Sequence, residues 1–89
     1  MRTLRMAVKD VYFQQIKAGI KPFEFRLRNQ YWIKKLEGRE YDILIITSGY
    51  PKSTDTDKIH SVPYRGYEIQ NITHEHFGPN PVEVFAIRT

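Results

Sequence analysis

The sequence predicts one small α+β domain, five or six strands with one or two helices laid against them. Three observations carry that expectation. Several short segments alternate apolar and polar residues, the mark of strands with one covered face. Two other stretches repeat apolar residues at three- and four-residue spacing between a capping residue and a glycine, the mark of short helices. With 89 residues, 40% of them apolar, the chain can fill one core but not two. The domain is therefore expected to span residues 1–89, with function on its surface or in a shallow pocket.

Leu4, Met6 and Val8 alternate with Arg5 and Ala7, a half-buried strand ending at Lys9. Asp10 is the expected N-cap of a helix over 11–18, where Tyr12, Phe13 and Ile16 share a face and Gly19 supplies the left-handed stop. Pro22 forces Lys21 to be extended, so a strand begins at once. In it Phe23, Phe25 and Leu27 share one face, and Glu24, Arg26 and Arg28 the other. Residues 30–36 read as two helical turns burying Trp32, Ile33 and Leu36, capped by Asn29 and ended by Gly38. The apolar, β-branched run from Tyr41 to Thr47 predicts a central strand covered on both faces. Residues 48–58 have the composition of an exposed loop. Strands follow at Val62 to Tyr64 and Tyr67 to Ile72, divided by a bend or bulge at Arg65-Gly66. After a turn-rich connection over 77–81, the last strand, Val82 to Arg88, is expected to close against the first.

The chain carries 14 Lys and Arg against 10 Asp and Glu, a net charge of +4 that favours phosphate-rich partners. Six of those cations, Lys17, Lys21, Arg26, Arg28, Lys34 and Lys35, lie close to Phe23, Phe25, Tyr31 and Trp32, so the basic character is clustered. Cysteine is absent, which excludes disulfides and thiolate metal sites and suits a reducing, cytoplasmic setting. No stretch approaches the ~20 apolar residues of a membrane span, and the first residues lack a signal-peptide core, so no membrane partner is expected.

The octet Gly19-Ile20-Lys21-Pro22-Phe23-Glu24-Phe25-Arg26 places a cation, a carboxylate and a guanidinium where a helix hands over to a strand. Lys21 has the wrong parity for the row of Glu24 and Arg26 and can join it only because it lies in the turn. A lysine, a potential base and a planar donor fork so arranged can hold a phosphate or a polar base edge. The plainer alternative is a solvated surface pair contributing ~0 to 1 kcal/mol.

The pattern G-x-K-x-x-E-x-R after a short helix, with a basic, aromatic segment behind it, resembles the signature of the ASCH family, small relatives of PUA domains. Beyond the octet the resemblance rests on the order of elements. It implies a small, mostly antiparallel PUA-like β-barrel of five or six strands with one or two flanking helices. It also implies an RNA, nucleotide or modified-nucleoside partner. Some members are acetylcytidine amidohydrolases, and similarity to them sets their catalytic lysine on Lys21 and their active hydroxyl residue on Glu24. Here the match breaks, because a carboxylate offers no hydroxyl nucleophile. A hydrolase would have to use Glu24 as a base toward water or a ribose hydroxyl, with Lys21 as electrostatic stabiliser.

Around the octet, Arg28, Lys34 and Lys35 are candidate phosphate contacts, and Tyr31, Tyr64, Tyr50 and Trp32 candidate stacking platforms, though Trp32 is equally suited to the core. His60, His74 and His76 are candidate acid–base partners in ribonuclease chemistry, and each is otherwise a surface histidine. His74-Glu75-His76 supplies two imidazoles at alternate positions, short of a metal site without a third ligand, so no metal and no cofactor are expected. The leading reading is RNA or nucleotide binding through Lys21, Glu24 and Arg26. The alternatives are a small hydrolase and a basic module that meets an acidic protein.

Overall fold

A computed structural model describes all residues, 1–89. The elements are β1 (Thr3–Val8), α1 (Asp10–Lys17), β2 (Phe23–Leu27), α2 (Gln30–Leu36), β3 (Ile43–Ser48), β4 (Ile59–Pro63), β5 (Tyr67–His74) and β6 (Gly78–Arg88), with single 3-10 turns at Thr56–Lys58 and Glu75–Phe77. The α+β class, six strands and two helices, agrees with the pattern read from the sequence.

The strands form two three-stranded sheets, ordered β1-β3-β4 and β2-β6-β5. β1 and β3 run parallel, and the other three pairs are antiparallel. The expected closure of the last strand on the first does not occur. β6 instead lies between β2 and β5, so the strands do not form a closed barrel. The reason lies in burial: Val84, Phe85, Ala86 and Ile87 are four consecutive residues with no exposure, which requires cover on both faces and a neighbour on each side. That description was expected of β3, which buries Leu44 and Ile46 on one face and only half-buries Ile43 and Ile45 on the other.

The core lies between the sheets and under the helices. Leu4, Met6 and Val8 of β1, Phe13 and Ile16 of α1, Leu36 of α2, Leu44 and Ile46 of β3, and Phe85 and Ile87 of β6 form one cluster. The alternation of β1 and the apolar face of α1 thus do what the sequence indicated. Asp10 does not cap α1. The cap position is Lys9, and Asp10 begins the helix with its carboxylate accepting from the Ser48 hydroxyl at 2.8 Å and the Gln14 amide at 3.3 Å. Asn29 caps α2 as expected, accepting from the Trp32 N–H at 3.0 Å. Gly19 and Gly38 end the two helices at φ of +77° and +71°, in the left-handed region where glycine carries no Cβ penalty. The bend at Arg65-Gly66 carries the chain from one sheet to the other. The bulge lies further on, between Ile72 and His74, where the proline-containing stretch Pro79-Asn80-Pro81 of β6 falls out of register.

Two strand edges, of β1 and β2, flank the place where a barrel would have closed. No backbone ladder joins them. A side chain does: the Arg26 guanidinium of β2 donates through Nη2 to the Ala7 carbonyl of β1 at 2.9 Å.

Candidate functional site

The seam between β1 and β2 opens into a cleft of about 580 Å³. Ala7, Val8 and Lys9 at the end of β1 form one side, and the stretch from Glu24 to Leu27 the floor. Lys21, Tyr12, Trp32, Tyr50 and the His74–Phe77 turn contribute the rest of the lining that matters chemically. That volume falls within the range of small-molecule sites, and a concave, half-apolar lining around a few charged groups is their usual character.

The floor is charged because of the register of β2. Glu24 pairs with Ile87 and Arg26 with Phe85, and residues paired across a ladder project from the same face. Ile87 and Phe85 belong to the core, so the charged row is the inward row of this strand. Its phenylalanines, Phe23 and Phe25, are only half-buried, and Leu27 is exposed. Glu24 is 4% exposed and is the only charged residue of the chain in the buried class. The solvated surface pair weighed above is therefore excluded for Glu24.

A carboxylate in that position needs partners, and two cations supply them. Arg26 Nη1 donates to Glu24 Oε2, and Lys21 Nζ lies 3.7 Å from Glu24 Oε1. Lys21 reaches the row from the turn, as its parity required. Arg26 is held further by the Phe25 carbonyl at 3.2 Å and by the Trp32 ring, whose centroid lies 5.4 Å from the guanidinium carbon. Lys21 Nζ stands 4.6 Å from the Phe25 ring centroid and 5.4 Å from that of Tyr12. The Lys21 ammonium donates no hydrogen bond within the protein, so its N–H groups remain unspent at the cleft.

Other residues singled out in the sequence lie elsewhere. Arg28 is clamped between Glu37 and Glu83 by bonds of 3.2 Å each, which hold its guanidinium still more firmly in the charged state, and it does not line the cleft. Lys35 donates to the Tyr31 hydroxyl at 3.2 Å and stands over the Tyr31 and Trp32 rings. Lys34 is exposed on α2, and Tyr31, 61% exposed, packs edge-on against Trp32 from outside. These three form a rim beside the cleft rather than its wall. Tyr64 is remote: it packs against the core, edge to face with Tyr41 at 5.3 Å, and burial pushes its hydroxyl above the ordinary phenol range. A stacking role for Tyr64 has no support in that placement. Trp32 combines both of its readings, half-buried against the core and lining the cleft.

Two groups have a larger part than their local sequence indicates. His74 and His76 both line the cleft, brought there by the 3-10 turn after β5, whereas His60 sits on β4 outside it. In the sequence they stand out as candidate acid–base partners, together with His60, and by a spacing that supplies half a metal site, but neither signal places them at this cleft. No group of three or more metal-ligating side chains converges anywhere in the chain. Lys9, expected only to end a strand, also lines the cleft and pairs with no carboxylate. Three cations, Lys9, Lys21 and Arg26, thus face one carboxylate, Glu24, and the cleft has a surplus of positive charge.

No family model matches the chain, and neither a curated protein nor a solved structure matches it. No helix is long and apolar enough to cross a membrane.

Proposed function

We propose that the seam cleft binds a nucleotide, a modified nucleoside or an unpaired base of RNA, the partner class implied by the resemblance of the octet to ASCH domains. The observation that carries this reading is the convergence of Lys21, Glu24 and Arg26 on one cleft wall beside Trp32. A buried carboxylate at the floor of a cleft accepts the amino or imino hydrogens of a base edge, and the free N–H groups of Lys21 meet its carbonyl or ring-nitrogen acceptors. Trp32 and Phe77 give the flat apolar surfaces that a base ring stacks on, at ~1 to 3 kcal/mol per stacked base.

Arg26 has a different part from the one its type suggests. Bonds to Glu24, Ala7 and Phe25 take three of its five N–H donors, so it serves as the brace that holds Glu24 in place. Base recognition falls to Lys21 and Glu24.

Hydrolysis of an acetylated nucleoside or an RNA phosphodiester, with Glu24 as base and Lys21 as stabiliser, has weaker support. One oxygen of Glu24 accepts from Arg26 and the other faces Lys21, which commits the carboxylate to binding geometry. New products by mass spectrometry from either substrate class would reverse that order.

The direct test of binding is an amide NMR titration with short single-stranded RNA and a nucleoside panel at low and moderate salt. Shifts concentrated at residues 19–28, Trp32 and Phe77, persisting as salt rises, are expected. Diffuse shifts that vanish with salt would reduce the interaction to generic charge attraction and favour an acidic protein as the partner.

A further inference from the structure

The cleft has a polar group at each end of its floor, and only one has a role so far. Lys21 and Glu24 stand at the beginning of β2. Leu27, at its end, lies about 10 Å further on by the ~3.3 Å rise of a strand. Leu27 and Gln70 both pair with Val84, and β5 runs on to His74, paired with Gly78, so the β5–β6 ribbon extends beyond the end of β2 and bends at the bulge between Ile72 and His74. The turn that follows β5 then brings His74, His76 and Phe77 to the same cleft as Leu27 and Asn29.

The two imidazoles are set up differently. His74 Nδ1 accepts the backbone N–H of His76 at 3.1 Å, so in neutral His74 the hydrogen resides on Nε2, which is thereby fixed as a donor. The ring of His76 makes no hydrogen bond within the protein, and neither histidine pairs with a carboxylate. Lys9 adds an unpaired cation to the same lining. Donors without acceptors at the end of a cleft that already has excess positive charge call for an anion. Three of the five Arg26 N–H donors already go to Glu24, Phe25 and Ala7, which fixes its guanidinium on the seam between β1 and β2.

We propose that His74 and His76 form a phosphate subsite, which takes the phosphate of a ligand whose base lies against Lys21, Glu24 and Trp32. This rests on the base-binding reading of the cleft for the ligand's other end, but the subsite itself is a claim about phosphate. A terminal phosphate of a mononucleotide and an internucleotide phosphate of RNA present the same oxygens to it.

The test follows the imidazole ring resonances of the whole protein as it is titrated in turn with inorganic phosphate, a nucleoside, its 5′-monophosphate and a dinucleotide. Phosphate alone should shift the rings of His74 and His76 and leave His60 still. The monophosphate should bind about tenfold more tightly than the nucleoside, the scale of one or two charge-assisted hydrogen bonds. His74→Asn keeps an acceptor for the His76 N–H while removing the Nε2 donor. Combined with His76→Ala, it should abolish the tenfold gain and spare nucleoside affinity. A dinucleotide that matches the monophosphate assigns the subsite to RNA, and one that binds only as a nucleoside assigns it to a terminal phosphate. Equal affinity for nucleoside and monophosphate, with still histidine rings under phosphate, overturns the subsite and leaves the base site standing. Histidine shifts under phosphate without any nucleoside binding do the reverse.

Discussion

Arg26 binds Glu24 two residues away on the same strand and, through its other terminal nitrogen, the carbonyl of Ala7 in the opposite sheet. One guanidinium therefore satisfies a buried carboxylate and spans the gap where a barrel would close. It stands where backbone hydrogen bonds between β1 and β2 would otherwise be, and that gap is the mouth of the cleft. Site and architecture depend on the same residue.

Removing Arg26 should accordingly cost stability. Arg26→Ala leaves Glu24 buried with only Lys21 at 3.7 Å and frees the Ala7 carbonyl. Deleting one partner of a fully buried pair costs about 3 to 5 kcal/mol. The Arg26 side chain is 22% exposed and Lys21 remains, so a loss on the order of 2 kcal/mol is expected. Glu24→Gln in the Arg26→Ala background should recover part of it, because the unpaired charge is then gone. Urea unfolding of the four proteins of that cycle measures the coupling, and additive losses would show the pair to be energetically unimportant.

Lys21→Ala should behave in the opposite way. The Lys21 ammonium donates no internal hydrogen bond and stands 3.7 Å from Glu24, and Arg26 still satisfies the carboxylate without it, so the loss of this 16% exposed side chain should cost about 1 kcal/mol, less than that of Arg26. Base or nucleotide affinity should fall by about tenfold or more, the value of one charge-assisted contact. Calorimetry at a temperature well below the unfolding midpoint of the variant separates the two effects, and unchanged affinity would remove Lys21 from the site.

Much of the fold was legible because it is written in local chemistry. Asn29, Gly19 and Gly38 punctuate the helices where the chain needs a side-chain acceptor or a positive φ, and Leu4, Met6 and Val8 carry the period of a half-buried strand. The octet also identified three residues that do converge, Lys21, Glu24 and Arg26. Strand pairing was not legible, since Val82 to Arg88 has the apolar content to pair with almost any edge, and only the buried run from Val84 to Ile87 explains its central place. Which face of β2 turns inward was equally hidden. Period two separates Phe23 and Phe25 from Glu24 and Arg26, but hydrophobicity alone would have buried the phenylalanines. The ion pair with Arg26 and the contact with Lys21 permit the reverse. His74 and His76 reach the cleft through a turn after a bulge, a long-range placement that no spacing along the chain encodes.

The contact between Ser48 and Asp10 ties the end of β3 to the first turn of α1 and predicts an acid-side effect. Hydrogen bonds from Ser48 and then Gln14 hold the Asp10 carboxyl below its ordinary 3.8. A depressed folded value means that the contribution is present above pH 3.8 and is lost as pH falls through the folded value. Ser48→Ala should raise the Asp10 titration toward 3.8, followed by its carboxyl carbon resonance, and should reduce the stability lost on acidification. An unmoved Asp10 titration would show that the hydroxyl does not hold the carboxylate in solution.

On the alkaline side the group to follow is Tyr64. Burial raises its hydroxyl above 10.0, the neighbouring Tyr67 and Tyr41 add to the shift, and Arg88 opposes it. In the unfolded chain Tyr64 loses its proton near pH 10.0, whereas the folded protein retains it to higher pH. Stability from this group is therefore complete below pH 10.0 and declines as pH rises through the folded value, because the unfolded state is the better proton donor over that interval. Tyr64→Phe removes the titrating group and keeps the ring that packs edge to face with Tyr41. The variant should match the parent at neutral pH to within about 1 kcal/mol, the allowance for a near-isosteric change, and should lose less stability between pH 9 and pH 11. Urea midpoints across that interval, alongside phenolate absorbance of the folded protein, give both quantities. Parallel declines in the two proteins would mean that other groups govern alkaline unfolding and that Tyr64 is more accessible to water than its packing against Tyr41 requires.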